Sequence, residues 1–320
     1  MENIAYKLMP VTCFAGKTPY CLRYRVQDNL LEQSIAKRGV ITPLLVYPHP
    51  QPVVVAGHKR LHAAQASGLK QIGVFEIQEH YSSKELFALA VISNWNQAWL
   101  DLDRAWALRQ AVDIHQWTEP EIIQDVLPAL GLACETHVLK QYLQAARLEP
   151  ALLDQIACGH LPFRGMHLLS RFSPEDQRMF AGSIAVNVVL TTNELIQLGE
   201  WLYDLLKLQG VNIDAFLKKE QFDSILNHPQ WDLRQKAEKF CEKLRTLRFP
   251  KLARHEQQFK SIARTITDEK IDLKIEPPPS FEDQGIWLRA KIRDPQSLDR
   301  LLDLLKDKRN LLNSLFDIML

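Results

Sequence analysis

Three valines, Val53-Val54-Val55, run into Ala56-Gly57, and the next three residues are His58, Lys59 and Arg60. β-Branched residues favour a short buried strand, and Gly57 breaks it. A helix is expected over residues 61–67, closed by Gly68. A strand, a glycine turn and a helix start place free backbone N–H groups beside two cations. Helix dipole and side chains then favour the same charge, so the chemistry on offer is phosphate binding. The same residues also fit a surface turn with two solvated bases. His58 and His62, four apart, could share a helix face as a metal or acid–base pair. No acidic partner for them stands out in the sequence, and two surface histidines are the plainer account.

The elements that must position this turn are legible on both sides. Residues 30–38 have helical periodicity and stop at Gly39, residues 40–47 read as extended, and the proline-rich 48–52 turns into the Val53 strand, giving a hairpin. Another strand is expected at 72–77 and another helix at 82–92, so residues 1–98 form a small α+β domain.

Taken in order, Ser34-Ile35, Gly39-Val40-Ile41-Thr42-Pro43-Leu44-Leu45-Val46, Ala56-Gly57-His58-Lys59-Arg60, Ala63-Ala64 and Gly68-Leu69 resemble the N-terminal domain of the ParB partition-protein family. That domain reads S-I, G-(V/I)-x-x-P-(I/L)-x-V, G-E-R-R-x-x-A-A and G-L. The family's third motif, E-N-x-Q-R, falls on Ser93-Asn94-Trp95-Asn96-Gln97. The resemblance implies a ParB/sulfiredoxin-like α+β fold and CTP with magnesium as ligand. It also implies Gly57, His58, Lys59, Arg60 and Asn94 as the nucleotide- or phosphate-binding residues. Lys59 keeps a charge but lacks the arginine fork. His58 and Ser93 stand where the family has acids, and Gln97 replaces an arginine. Magnesium is held mainly by carboxylates and phosphates, so nucleotide hydrolysis is expected to be weak or absent. No catalytic residue and no metal ligand is assigned.

Residues 99–208 read as helical throughout. One helix is expected over 104–115. Thr118 and Glu121 form a capping-box pattern for a second, to Leu130, and Thr136 is expected to cap a third that ends at Arg147. The turn at 131–135 makes this a helix-turn-helix pattern, and residues 148–169 again resemble the partition family. His137, Lys140, Gln141 and Gln144 are the candidate DNA readers, because glutamine can pair with adenine and lysine with guanine. Residues 101–200 nevertheless carry seven bases against thirteen acids. A domain relying on phosphate attraction would not, and a bundle without DNA contact remains open.

Residues 209–265 read as a helical basic linker region with one short helix before Trp231. Between Arg234 and Arg264 there are ten bases and three acids, which makes Arg245, Arg248 and Arg254 further DNA candidates. Residues 266–320 alternate apolar and polar at 271–275 and 286–292, then present a leucine-rich helix capped by Ser297. This small ββα domain is similar to the family's dimerisation domain, and its apolar face calls for a second copy.

The 320 residues are 46% hydrophobic and 24% charged, with a net charge of +1. No run reaches the roughly eighteen apolar residues of a membrane span. The five scattered cysteines include no C-x-x-C pair and fit free thiols in a reducing cytoplasm. The expectation is a multidomain α+β, cytoplasmic, nucleoid-associated, homodimeric DNA-binding protein. The resemblance further implies a ParA-type ATPase as partner, in chromosome or plasmid partition. Two other classes are open: an enzyme on the same N-terminal fold, either a nuclease or a sulfiredoxin-like reductase, and a helical adaptor without DNA. Against an enzyme stand the absence of a cysteine before the His-Lys-Arg loop, which a sulfiredoxin has, and the six dispersed acids of the first hundred residues.

Overall fold

In the computed structural model, which describes residues 4–48, 50–95, 98–267, 272–278 and 285–318, the Val53 strand is one edge of a four-stranded sheet. The N-terminal elements are β1 (Ile4–Pro10), α1 (Asn29–Arg38), β2 (Leu44–Tyr47), β3 (Val53–Ala56), α2 (His58–Ala66), β4 (Gln71–Ile77) and α3 (Ser83–Ile92). The strand order is β1-β4-β2-β3; β2 and β3 form the expected hairpin, and β2 lies parallel to β4. The mixed α+β class is as the sequence implies.

β1 was not expected. Its apolar residues Ile4, Tyr6 and Leu8 alternate, but they face outward and remain exposed. Its place is set by pairing with β4, where Tyr6 opposes Phe75 and Leu8 opposes Gly73. Tyr6 lies over Gly73, where a Cβ would come within 3.0 Å of its hydroxyl.

One face of the sheet packs on α2 through Leu44, Val46, Val54, Leu61, Ile72 and Val74. A second core begins at Tyr47, Val55 and Ile77 and continues through Phe87 of α3 into the helices that follow. These are α4 (Asp101–Asp113), α5 (Glu119–Glu121), a π-helical stretch Ile122–Val126, α6 (Leu127–Ala129) and α7 (Thr136–Ala146). The capping box at Thr118 and Glu121 is present. The π stretch ends two residues before Pro128, which has no N–H to continue the α ladder. Glu135, not Thr136, is the N-cap of α7, since Glu135 has the extended backbone and Thr136 is already helical.

Beyond α7 come α8 (Pro150–Ala157), α9 (Pro174–Met179), α10 (Thr192–Gln209), α11 (Ile213–Lys219), α12 (Asp223–Leu226), α13 (Leu233–Arg248) and α14 (Pro250–Ile266). Two short helices thus precede Trp231 where one was expected. The chain divides into two compact units: Met1–Tyr203 with Val211–Ala237, and Asp204–Gly210 with Glu238–Leu320.

The second unit ends in the antiparallel hairpin β5 (Leu273–Glu276) and β6 (Trp287–Ala290), followed by α15 (Pro295–Asp307) and α16 (Arg309–Asp317). Ile271, which the alternating pattern placed in the first of these strands, lies outside the described residues. Its core joins Phe259 and Ile266 of α14 to Leu315 of α16. Asp294 rather than Ser297 caps α15; Ser297 sits three residues in and returns the bond, a reciprocal box. Lys308 separates α15 from α16, so the expected final helix is two.

Candidate phosphate cavity and nucleic-acid faces

Gly57 sits at φ +105° and ψ 21°, in the left-handed region that suits glycine. A Cβ there would lie 2.7 Å from Leu44 Cδ2 and 3.1 Å from Arg60 Nη2. The tight turn starts α2 at His58, three residues before the position expected from the pattern, because the helix needs no side-chain cap here. The N–H groups of His58, Lys59 and Arg60 therefore occupy the first turn, before the ladder begins with Leu61 N–H donating to Gly57 O at 3.0 Å. These residues, with Gly57, line a cavity of about 330 Å³.

Each side chain of the turn is held differently. Arg60 Nη1 donates to the carbonyls of Thr42 and Pro43, both at 2.7 Å, which ties the β2 approach to α2. Lys59 Nζ donates to Asp28 Oδ2 at 3.1 Å. Asp28 is the N-cap of α1, and the Leu31 N–H, with Lys59 second, holds its carboxyl below the usual carboxylate range. His58 is buried, with Nε2 2.8 Å from Thr18 Oγ1, while that hydroxyl donates to Val54 O at 2.7 Å. Burial pushes His58 down to about 4; the Val54 carbonyl opposes this and Lys17 adds to it. His58 is therefore neutral at ordinary pH and locks the Thr18 loop.

That loop forms the far wall and carries a residue the sequence reading missed. Arg23 lines the cavity, is 8% exposed, and donates from Nη1 to Asp103 Oδ2 at 2.8 Å and Ala98 O at 3.1 Å. Its guanidinium carbon stands 4.7 Å from the Trp99 ring centroid. The only local signal was a base inside an apolar stretch, Cys21-Leu22-Arg23. The loop is further held by His115, whose Nε2 reaches Pro19 O at 2.9 Å and whose Nδ1 meets Ser83 Oγ at 2.7 Å.

The cavity thus brings together Gly57, His58, Lys59, Arg60 and Asn94. Asn94 turns its amide back to Ala90 O at 2.8 Å, and Ser93 is exposed at the end of α3. Asn96 and Gln97 lie outside the described residues. His62 does have an acidic neighbour after all: Glu32 of α1 comes within 3.3 Å of its Nδ1. The two elements meet only in the fold, which is why sequence spacing hid the pair.

The arrangement fits phosphate groups but not a magnesium centre. Among the described residues lining the cavity the one carboxylate is Asp28, already engaged. No group of three or more His, Cys, Asp or Glu able to hold a metal occurs among the described residues.

On α7, His137, Lys140, Gln141 and Gln144 share one exposed face, opposite the buried Leu139, Ala145 and Ala146. His137 Nδ1 lies 2.9 Å from Glu135. Tyr142 Oη donates to Asp101 at 2.8 Å, fixing α7 against the start of α4. In the second unit Arg245 makes a two-point pair with Glu256 (2.9 and 2.6 Å), and Arg248 donates to Asp204 (3.1 and 3.0 Å). Arg254 is exposed on α14. No helix among the described residues is long and apolar enough to cross a membrane.

Residues 25–95 match the sequence profile of the ParB N-terminal domain. Two curated relatives are the chromosome-partitioning proteins ParB of Caulobacter vibrioides strains NA1000 / CB15N and ATCC 19089 / CIP 103742 / CB 15. Each is 27% identical over 169 residues, covering 45% of this chain and 55% of the relative, so the match spans about half the relatives' length. Similar solved structures include the C-terminally truncated chromosome-partitioning protein ParB from Caulobacter crescentus in two complexes. That with CTP-gamma-S gives a TM-score of 0.27 at 19% identity, over 55% of this chain and 97% of that chain. That with the centromeric parS site gives 0.35 at 18%, over 61% and 98%. The C2221 form of a Pnob8-like ParB-N domain gives 0.28 at 12%, over 76% and 99%.

Proposed function

We propose that this chain, a member of the ParB family through the domain at residues 25–95, is a DNA-binding partition-type protein whose N-terminal cavity holds the phosphates of a nucleotide. The observation that carries the reading is the convergence on one cavity of the uncapped start of α2, Lys59, Arg60 and Arg23. Backbone donors and three cations favour a polyphosphate over a neutral ligand. CTP is the nucleotide that the family resemblance implies. His58, neutral and bonded to Thr18, offers no charge to a phosphate and none of the carboxylate oxygen that magnesium prefers. With Ser93 in place of the second acid, binding without appreciable turnover is the expected behaviour.

DNA contact is assigned to the exposed face of α7, with His137, Lys140, Gln141 and Gln144 toward base edges. Arg254 is a candidate for phosphate contact, and Arg245 and Arg248 would serve only by exchanging their carboxylate partners. Trp287, Leu288, Leu298 and Leu302 leave an exposed apolar face in the second unit that suits a second copy of the chain.

The adaptor reading draws on a specific observation. Arg104, Arg109, Arg147 and Arg178 are each paired with a carboxylate, and Arg171 is stacked on Tyr203, leaving Lys140 and Arg164 as the other bases of residues 101–200. Titrating CTP, ATP and GTP by calorimetry, alongside mobility shifts on DNA with and without nucleotide, decides between the readings. Nucleotide binding lost in Arg60→Ala together with DNA retardation supports the proposal. Absence of both leaves the adaptor.

A further inference from the structure

Residues 18–24 have no regular secondary structure, yet they run as a strap along one face of α4. Asp103 Oδ1 accepts from the Tyr24 N–H at 2.9 Å, and Gln110 Nε2 and Trp106 Nε1 donate to Cys21 O at 2.9 and 3.2 Å. His115, just past the helix, reaches Pro19 O. Positions 103, 106 and 110 share a helix face, so the strap lies antiparallel to α4. Its polar tie to the sheet is at Thr18, whose Oγ1 donates to Val54 O and meets His58 Nε2. Between these ties the strap presents Tyr20, Leu22 and Arg23 to the phosphate cavity.

Two buried imidazoles therefore hold adjacent residues of one strap, His58 at Thr18 and His115 at Pro19. Thr18 spends its hydrogen on Val54, so His58 Nε2 is the donor in their bond; His115 donates from Nε2 to Pro19 O and accepts at Nδ1 from Ser83 Oγ. Neutral rings satisfy all of these bonds. A second proton on either ring is a buried charge, and among the described residues neither ring lies within ion-pair distance of a carboxylate. Around His58 stand the cations Lys17, Lys59, Arg60 and Arg23; the one acid, Asp28, is held by Lys59, and His62 a turn on stands against Glu32. Around His115, Tyr20 stacks on the ring, Lys84 and Glu121 bond to each other, and Asp113 is paired with Arg109 and Arg147. Burial pushes both rings below the ordinary histidine range, His58 to about 4; the Val54 and Pro19 carbonyls oppose it, and Lys17 adds to it at His58.

We infer that His58 and His115 form an acid-operated clamp on the wall of the phosphate cavity: protonation of the two rings releases residues 18–24 while the rest of the fold stands. The strap is the element suited to move. Its backbone groups are satisfied by side chains rather than by a helix or strand ladder, so it lifts without breaking either. Lifting lets water reach both rings, and each then takes the proton that the seated state excludes. At His58 the seated state is favoured in full above about pH 6.5 and gives way as the pH falls toward 4. Each ring contributes about tenfold in the lifted population per pH unit, and the two acting together about a hundredfold. Arg23 leaves with the strap and takes a cation from the cavity; that consequence alone rests on the phosphate reading.

The test reads Cys21, the buried thiol at the middle of the strap, in the full chain with Cys13, Cys134, Cys158 and Cys241 changed to serine. Its reaction with dithiodipyridine, a disulfide that exchanges with thiols in acid, is followed from pH 7 down to 4.5 and divided by the rate in the urea-unfolded chain at each pH. The expected result is a normalised rate that rises by more than about tenfold per pH unit on acidification, at unchanged far-ultraviolet circular dichroism. His58→Gln or His115→Gln should each bring the slope down to about tenfold or less, and the double variant should flatten it. A merely structural contact would raise the rate at every pH and leave the slope alone. Where a glutamine variant fails to fold, the imidazole signals of the unsubstituted chain, followed by nuclear magnetic resonance, should titrate together with the strap amides. A slope that neither substitution changes, Cys21 exposure only with loss of the helical signal, or imidazoles that titrate apart from the strap overturns the inference. CTP at neutral pH should slow Cys21 labelling if the cavity takes phosphate; acid release without that slowing removes the nucleotide and keeps the clamp.

Discussion

Lys59 Nζ lies 3.1 Å from Asp28 Oδ2, so a cation of the α2 start is held by the residue that caps α1. An anion that recruits Lys59 must draw it away from Asp28. Both side chains are about a third exposed, which limits the pair to roughly 0.2–1 kcal/mol. Asp28→Asn keeps a good cap while removing the competing charge. Triphosphate affinity should rise by up to about fivefold with little change in Tm. Calorimetric titration checks this; weaker binding would mean that Asp28 itself contacts the ligand.

Gly57→Ala tests the turn. At φ +105° any side chain is strained, and its Cβ would press on Leu44 Cδ2. Left-handed strain and overpacking together should cost about 2–4 kcal/mol, read from urea denaturation. A variant as stable as wild type would remove the structural reason for glycine here.

His58 makes stability fall with acid. Its folded pKa, about 4, is below the unfolded value near 6.5, so between them the unfolded chain binds the extra proton. Its contribution is complete above pH 6.5 and drains away as the pH falls toward 4, at about 1.4 kcal/mol per pH unit and about 3 kcal/mol in all. Denaturation of wild type against His58→Gln between pH 4.5 and 7 should show the steeper loss in wild type. Parallel curves would place the imidazole in water.

In the second unit, Leu298 and Leu302 are 40% and 45% exposed on α15. Leu298→Asp/Leu302→Asp should convert a dimer to a monomer by light scattering while leaving Tm of the monomer nearly intact, since neither residue is core. Truncation after Thr265 is a poorer probe, because it removes Ile266 and Leu315 from the cluster around Phe259. A wild-type monomer would defeat the second-copy assignment.

Much of the cavity was legible because its residues are sequence neighbours. Val53 to Arg60 specify strand, turn and helix locally, and the capping signal at Thr118 comes with its glutamate in the same four residues. What the sequence hid is long-range. Arg23 gains meaning only against Asp103, eighty positions on, and His62 only against Glu32. β1 was hidden for another reason. Its apolar residues face out, so its period marks a strand without marking a core. The bases between 234 and 264 were visible as a charge run, but the carboxylates that pair with Arg245 and Arg248 were not.

Arg23 also touches two parts of the molecule that are proposed to meet different ligands. It lines the phosphate cavity, and through Asp103 it grips α4, whose first residue, Asp101, accepts from Tyr142 of α7. Any ligand that prefers one position of Arg23 over another therefore does work on the helix proposed to read DNA. Thermodynamics makes such a linkage run both ways. If nucleotide changes the affinity for DNA by some factor, DNA must change the affinity for nucleotide by that same factor. Cutting the chain of contacts at Asp103 should return both factors toward one together.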